Sequence, residues 1–183
     1  MPAMVTTSFP RVMGIDPDSK TTAWAIVEGS TAKAVGVYHI KAENVCEALK
    51  RLYPALEHSL ELHKPELVVV EGQRDYKKVP IQDIIKIAQI AGGIAGQIVG
   101  ILPSCKIQIV DPEIWKGQTP KPINQTRTYA YFGMLSSMAS TYAYPTGCRV
   151  YASIQGAAKL NKGDWKHVGD ALGLARYGSE RLS

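Results

Sequence analysis

Short apolar runs bounded by turn residues mark the first predicted strands of the chain. Arg11 to Asp16 is the first such run, and a turn cluster at 17–19 ends it. Thr21 to Glu28 is rich in Thr, Trp, Ile and Val, and Ala34 to Ile40 follows after a Gly-Ser break. The pattern therefore predicts an antiparallel meander of three strands.

Helical spacing alternates with buried strands in the middle of the chain. Apolar positions recur at helical intervals from Glu43 to His63, and Pro54 predicts a kink or break in that helix. Leu67 to Val70 is a continuous apolar run, which is typical of a strand covered on both faces. A long helix from Pro80 to Leu102 and a short buried strand from Lys106 to Val110 are predicted next.

The last third of the chain predicts two more helices. The first spans Asn124 to Met134, and the segment from Ser136 to Gln155 is predicted to be irregular. The second spans Lys162 to Tyr177, and Gly178 is its expected end. Three meandering strands followed by strand–helix alternation predict an α/β fold with a mixed five-stranded sheet and helices on both faces. We expect one domain over residues 1–183, with residues 1–10 as a flexible lead-in.

Composition and cysteine content favour an intracellular globular protein. With 45% hydrophobic and 20% charged residues, the chain does not resemble disordered or fibrous sequences. No basic, apolar signal segment opens it, and the three cysteines form no metal or disulfide pattern. Asp83 and Lys86 interrupt the apolar stretch from Ile81 to Leu102, which predicts a buried helix and no membrane span. We expect a cytoplasmic location.

Positive charge is concentrated in the second part of the chain. Residues 1–71 contain seven Lys and Arg against nine Asp and Glu, whereas residues 72–183 contain fourteen against seven. A basic half of this kind favours a polyanionic partner, although a solvated lysine-bearing surface gives the same surplus.

Four residues are candidates for a catalytic cluster. Asp16 and Glu71 each end a predicted buried strand, and His167 and Asp170 lie three apart on one face of the last helix. Sites in open α/β sheets form at the carboxyl ends of strands. Asp16 alone also fits a turn or cap, and His167 alone fits a surface histidine. Asp170 distinguishes the set, since it stands among small and apolar residues where an unpaired carboxylate is costly.

Such a cluster requires a cation. Carboxylates held together repel one another and raise one another's pKa unless positive charge neutralises them. Oxygen ligands with one imidazole suit Mg²⁺ or Mn²⁺. Two such ions can activate water and stabilise the leaving oxygen in phosphodiester hydrolysis.

Three sequence motifs resemble those of the RuvC family of Holliday-junction resolvases, which belongs to the RNase H-like superfamily. They are GIDP at 14–17, VEGQ at 70–73 and HVGDAL at 167–172, in the family's order along the chain. The resemblance extends from about Arg11 to Tyr177. A further segment, WKG at 115–117 followed by PK at 120–121, resembles the basic loop of RuvC-like proteins from phages and related elements, which act in the host cytoplasm.

The resemblance implies an RNase H-like fold and a Mg²⁺-dependent crossover junction endodeoxyribonuclease. Such an enzyme resolves four-way DNA junctions by paired symmetric nicks. The resemblance also implies that Asp16, Glu71, His167 and Asp170 are catalytic and bind two Mg²⁺ ions, for which Mn²⁺ can substitute. It further implies a homodimer, with the 80–102 helix as its interface. The four glycines of that helix, however, are equally explained by close packing onto the sheet.

Basic residues near the predicted strand ends are candidates for DNA contact. Phosphate contacts dominate nucleic-acid affinity, and an aromatic side chain can stack on an unpaired base. The candidates are Arg74, Tyr76, Lys77, Lys78, Lys116 and Lys121.

The chain departs from the family pattern at two places. Asp18 stands where the family has glycine, and we interpret it as a solvated turn residue rather than a ligand. Arg74 stands where the family often has an aromatic wedge, with Tyr76 two residues later, so the wedge residue stays open.

Two alternative functions stay open at this point. One is an RNase H-superfamily nuclease that acts on other branched DNA or on RNA–DNA hybrids. The other is a junction-binding module without catalysis, against which the intact acidic set argues.

Overall fold

A computed structural model describes residues 9–73, 79–138, 141–145 and 153–182. Five strands form the main sheet, and two short strands form a second one. The strands are β1 (Arg11–Asp16), β2 (Thr21–Glu28), β3 (Thr31–His39), β4 (Leu67–Glu71), β5 (Lys106–Val110), β6 (Ser136–Met138) and β7 (Ala143–Pro145). The helices are α1 (Val45–His63), α2 (Ile81–Ile101), α3 (Pro112–Trp115), α4 (Lys121–Tyr131) and α5 (Trp165–Leu182), with a 3₁₀ turn at Ala157–Lys159.

The main sheet has the order β3-β2-β1-β4-β5. The first three strands pair antiparallel, while β4 is parallel to β1 and β5 is parallel to β4. Ile15 is in register with Val70, so the residues that follow them, Asp16 and Glu71, leave the sheet side by side. The predicted five-stranded mixed sheet is confirmed.

The side chains of β1 and β4 alternate between the two faces of the sheet and so contribute to two hydrophobic cores. Met13 and Val68 face one side of the sheet, where α1 and α2 pack. Val12 and Val69 face the other side, where α4 and α5 pack. Successive side chains of a strand point to opposite faces of the sheet. A strand whose residues are all apolar therefore needs to be covered on both faces. The helices therefore cover both faces, as the sequence predicts.

Backbone contact between β1 and α5 brings the last helix onto the sheet next to Asp16. A Cβ at Gly14 would collide with the carbonyl oxygen of Ala171 and would lie 2.5 Å from the backbone nitrogen of Ala175. Glycine at position 14 thus permits an approach that any other residue would prevent. This contact places Asp170, one residue before Ala171, near the end of β1.

Three predictions about helices and loops differ from the structure. Helix α1 has no break at Pro54, because the burial of Leu52, Leu56 and Leu60 offsets the missing backbone hydrogen bond, while the alternative of a kink there stays a prediction. Helix α5 continues past Gly178 to Leu182, since Gly178 packs closely on β1 and β4 instead of ending the helix.

The segment 136–155, predicted to be irregular, contains the strand pair β6–β7. Three-residue strands are too short to show a period of two, so the sequence offered no signal for them.

Helix α2 is long and apolar enough to cross a membrane by length and composition, with a mean hydropathy of 1.6 over its best window. A core helix of a soluble protein meets the same criterion. Ile84, Ile90, Ile94 and Ile98 are buried within this protein, on the face that packs against α1. The expectation of no membrane span stays a prediction, as do the single domain and the flexible lead-in, of which residues 1–8 lie outside the described residues.

Replacing Gly14 with Ala is expected to destabilise the protein by about 3 kcal/mol or more, because the new methyl group must push α5 away from β1. Urea denaturation measures the change. Gly163→Ala is the matched control, since Gly163 is exposed and the nearest atom to a methyl group at that position is a side-chain oxygen at 3.1 Å. Equal stability of the two variants would contradict a backbone contact at Gly14.

Candidate active site

Three buried carboxylates meet at the carboxyl edge of the main sheet. Asp16 ends β1, Glu71 ends β4 and Asp170 lies in the second turn of α5. One carboxylate oxygen from each lies within 4.8 Å of the others, and the residues are 8%, 6% and 1% exposed respectively. The strand register and the β1–α5 contact bring together groups that are far apart in sequence.

His167 lies beside this cluster. Its Nδ1 is 2.9 Å from Oδ2 of Asp16. Burial and the positive charges of Lys121 and Lys166 lower the pKa of His167, which favours the neutral ring. When Asp16 is ionised its carboxylate can only accept, so the Nδ1–H then donates to Asp16 and the Nε2 lone pair is left free to take a proton.

Two lysines partly neutralise the carboxylates. Nζ of Lys116 is 3.1 Å from Oε1 of Glu71, and Nζ of Lys121 forms an ion pair with Oδ2 of Asp170. Sequence reasoning had assigned both lysines to DNA contact. The structure places them at the cluster itself, because the loop after β5 and the start of α4 border the ends of β1 and β4.

Two of the carboxyl groups hold their protons unusually tightly. Burial, followed by the negative charge of Asp170, raises the pKa of Asp16 from 3.8 to about 7. Burial, followed by the charge of Asp16, raises the pKa of Glu71 from 4.5 to about 8. Even with two lysines present, the cluster is short of positive charge.

Gln125 is a site residue that the sequence analysis missed. It is fully buried, and its Nε2 donates to Oδ1 of Asp170 at 3.1 Å and to the carbonyl oxygen of Lys166 at 2.6 Å. Its Oε1 accepts from the backbone N–H of Ala143 at 2.8 Å. Gln125 therefore orients the Asp170 carboxylate and ties α4 to α5 and β7. A polar residue on a predicted helix shows no such role until its tertiary partners are known.

The start of α5 is held by a second group that the sequence did not reveal. Asp164 and Asn161 exchange backbone-to-side-chain hydrogen bonds of 3.0 Å, and the carbonyl of Asp164 accepts from the backbone of His167 at 3.0 Å. Nε2 of His39, at the end of β3, lies 3.2 Å from Asp164. These contacts fix the first turn of α5, on which His167 is carried.

Asp18 is a turn residue, as interpreted from the sequence. Its Oδ1 accepts from the backbone N–H of Lys20 and from the hydroxyl of Ser19. It does not belong to the three-carboxylate cluster. The remaining candidates for DNA contact, namely Arg74, Tyr76, Lys77 and Lys78, lie outside the described residues.

The donor set fits a divalent cation. Three carboxylates carry more negative charge than Lys116 and Lys121 neutralise, and all of their donor atoms are hard oxygens. Mg²⁺ and Mn²⁺ prefer such ligands, and a bound cation relieves the repulsion that raises the pKa of Asp16 and Glu71.

The family model described as crossover junction endodeoxyribonuclease RuvC matches residues 12–104, which is half of the chain. The chain belongs to the RuvC family. A curated RuvC protein from Alkalilimnicola ehrlichii is 39% identical to it over 67 residues. That match spans 34% of this chain and 41% of the relative, less than half of the relative's length.

Two solved structures share the fold. The structure titled T. thermophilus RuvC in complex with Holliday junction substrate matches with a TM-score of 0.65 and 16% identity, over 94% of this chain and 95% of that one. The yeast mitochondrial Holliday junction resolvase matches with a TM-score of 0.54 and 12% identity, over 97% of this chain and 84% of that one. These likenesses confirm the RNase H-like fold of this RuvC-family chain.

The stability of the metal-free protein is expected to fall as pH rises from about 4 to about 8. The folded state holds protons on Asp16 and Glu71 up to a pKa of about 7 and about 8, whereas the unfolded chain releases them near 4. The stability that these protons confer is complete below pH 4 and is lost as pH rises through the folded-state values. Thermal unfolding in chelator across this range measures it.

Divalent metal is expected to reverse this loss, because the cation competes with protons for the same oxygens. Mg²⁺ or Mn²⁺ should raise the melting temperature more at pH 8 than at pH 6. An equal metal-induced shift at both pH values would contradict a site formed by Asp16 and Glu71.

Proposed function

We propose that this protein resolves four-way DNA junctions by paired symmetric nicks, through metal-dependent hydrolysis of phosphodiester bonds. The observation that carries the proposal is the meeting of Asp16, Glu71 and Asp170 within 4.8 Å, with His167 bonded to Asp16. Membership in the RuvC family and the shared fold with a RuvC that was solved on Holliday junction substrate support the choice of DNA.

Asp16, Glu71 and Asp170 would hold the metal, and we propose His167 as a further ligand or proton acceptor at the same site. Bound Mg²⁺, as two ions, would supply an activated water and neutralise charge on the scissile phosphate; Mn²⁺ can substitute. We propose that Nε2 of His167 accepts a proton during attack, since burial keeps the ring neutral and its Nδ1–H is committed to Asp16.

Lys116 and Lys121 have a second role in this proposal. A phosphate entering the cluster offers their ammonium groups new acceptor oxygens next to Glu71 and Asp170. We propose that Arg74, Tyr76, Lys77 and Lys78, which come shortly after β4 in the sequence, also contact the DNA. We expect this activity in the cytoplasm, with access to DNA.

Asp16→Asn and Asp170→Asn are each expected to reduce nicking of a synthetic four-way junction by about a thousandfold or more, because each removes a metal-binding charge. Junction binding should be largely retained, since the basic residues are unchanged. A gel assay with Mg²⁺, Mn²⁺ or chelator, with both strands labelled, measures the rate and the symmetry of cleavage.

Glu61→Gln is the control for this assay, because Glu61 is an exposed carboxylate on α1, which packs on the face of the sheet opposite α5. Its nicking should match that of the parent protein. Normal cleavage by Asp16→Asn would exclude the mechanism. Equal cleavage of linear duplex, RNA–DNA hybrid and junction would favour a less selective nuclease, and binding with no Mg²⁺-dependent product would favour the non-catalytic module.

We further propose a homodimer formed through the outer face of α2. Gly93 packs on Leu49 within the protomer, whereas a Cβ at Gly92, Gly96 or Gly100 would meet nothing within 4 Å. Apolar Val99 is 58% exposed on the same helix. Packing against α1 therefore explains Gly93. It does not explain the three glycines at four-residue spacing, which allow close approach of a second helix.

Val99→Glu is expected to convert the dimer to a monomer, because it places a carboxylate in an apolar helix–helix contact. Size-exclusion chromatography with light scattering measures the mass, which is 19.9 kDa for one chain. Leu62→Glu is the control, since Leu62 is similarly exposed but lies on α1. A parent protein that is already monomeric, or a Val99→Glu protein that stays dimeric, would contradict the α2 interface.

A further inference from the structure

A small pocket lies between α3, α4 and α5, next to the acidic cluster but outside it. Its volume is about 290 Å³. Six of its lining residues matter here, and they are Trp115, Lys116, Asn124, Arg127, Thr128 and Arg176. The same Lys116 contacts Glu71, so the pocket and the catalytic cluster share one wall.

Two side chains of this pocket carry buried hydrogen-bond donors without acceptors. They are Nε1 of Trp115 and Nδ2 of Asn124, neither of which has a partner among the described residues. A buried donor without an acceptor costs free energy, which a ligand that supplies oxygen acceptors would recover. Both donor atoms are closed off from solvent, so it is Asn124, whose amide can rotate toward the pocket, that offers a donor to such a ligand.

The charge of the pocket indicates that this ligand is an anion. Lys116, Arg127 and Arg176 line it, against the single carboxylate of Glu180. That carboxylate is already bonded to Nε of Arg176 at 2.7 Å. Arg127 is exposed and has no ion-pair partner in the part of the chain that the structure describes. Its charge is available to a ligand.

The pocket walls are fixed by packing. The Trp115 ring fits into a notch on α5 at Gly173, where a Cβ would collide with the ring. The Arg176 guanidinium is held over the Tyr131 ring at 3.9 Å in addition to its bond with Glu180. Such pre-positioned groups bind a ligand at a low cost in side-chain entropy.

We infer that this pocket binds a phosphodiester group of the DNA backbone, next to the phosphate that enters the catalytic cluster. A phosphodiester has acceptor oxygens, one negative charge and no donors, which matches the donors and cations of the pocket. DNA that crosses Lys116 from the cluster reaches Asn124 and Arg127. The choice of DNA as the ligand rests on the proposed function.

Asn124→Asp tests the inference, because it keeps the shape of the side chain while it removes the unpartnered donor and adds a negative charge. In an Asp16→Asn background, which prevents cleavage, it should weaken binding to a labelled junction and to a linear duplex by about tenfold or more. Its melting temperature is measured alongside, because a buried carboxylate without a donor costs stability, and binding is compared at a temperature at which both proteins are folded. If Asn124 had only a structural role, a folded Asn124→Asp protein would bind DNA as tightly as the background protein.

Arg127→Gln is the second variant, and the salt dependence of its affinity is the measurement. Loss of one phosphate contact should reduce the slope of log K against log salt by about one. Arg51→Gln is the control, because Arg51 is also an exposed arginine, but it lies on α1 and is paired there with Glu47. Its affinity and slope should equal those of the background protein.

Unchanged affinity for both DNAs in Asn124→Asp and Arg127→Gln would overturn the pocket assignment. A parent protein that binds DNA but nicks no junction with Mg²⁺ would overturn the proposed function, and the two variants would still decide the pocket. A parent protein that binds neither DNA would overturn both.

Discussion

Three carboxylates buried within 4.8 Å of one another are the constraint on which the rest of this structure depends. Their mutual repulsion and burial raise the pKa of Asp16 to about 7 and of Glu71 to about 8. Burying three carboxylates together costs stability, so their function rather than stability accounts for the cluster. The surrounding groups compensate in part, through the ammonium of Lys116 and through donors aimed at Asp16 and Asp170. The negative charge that these groups do not neutralise is suited to binding a divalent cation.

The contact of β1 with α5 completes this arrangement. Parallel pairing of β1 with β4 brings Asp16 next to Glu71, but only the backbone contact at Gly14 brings Asp170 to the same edge. Gln125 then sets the orientation of Asp170 from α4, and Asp164 fixes the turn that carries His167. The site is therefore built from the ends of two strands and from the first two turns of α5. Asp164 holds the start of these turns, and Gln125 holds Asp170 near their end.

Positive charge around the site serves two purposes in the proposed nuclease. Lys116 neutralises Glu71 and also forms part of the donor-rich pocket that holds Asn124 and Arg127. One row of groups thus extends from the acids to the pocket along the edge where DNA would lie. The open face of α2 is separate from this row, on the other side of the sheet, so a second copy could bind there without covering the site.

Local patterns in the sequence determined the five strands of the main sheet, the order of the meander and the candidates Asp16, Glu71, His167 and Asp170. Strand runs, helical spacing and motifs are properties of neighbouring residues. Tertiary structure alone decided what these residues touch. Helix α5 passes Gly178 because that glycine packs on the sheet, and β7 is held next to α4 by the hydrogen bond from Ala143 to Gln125. The roles of Gln125, Asn124 and the two lysines depend on partners that are distant along the chain. Their residue types are common and form no motif, so their roles become visible only in the contacts of the folded protein.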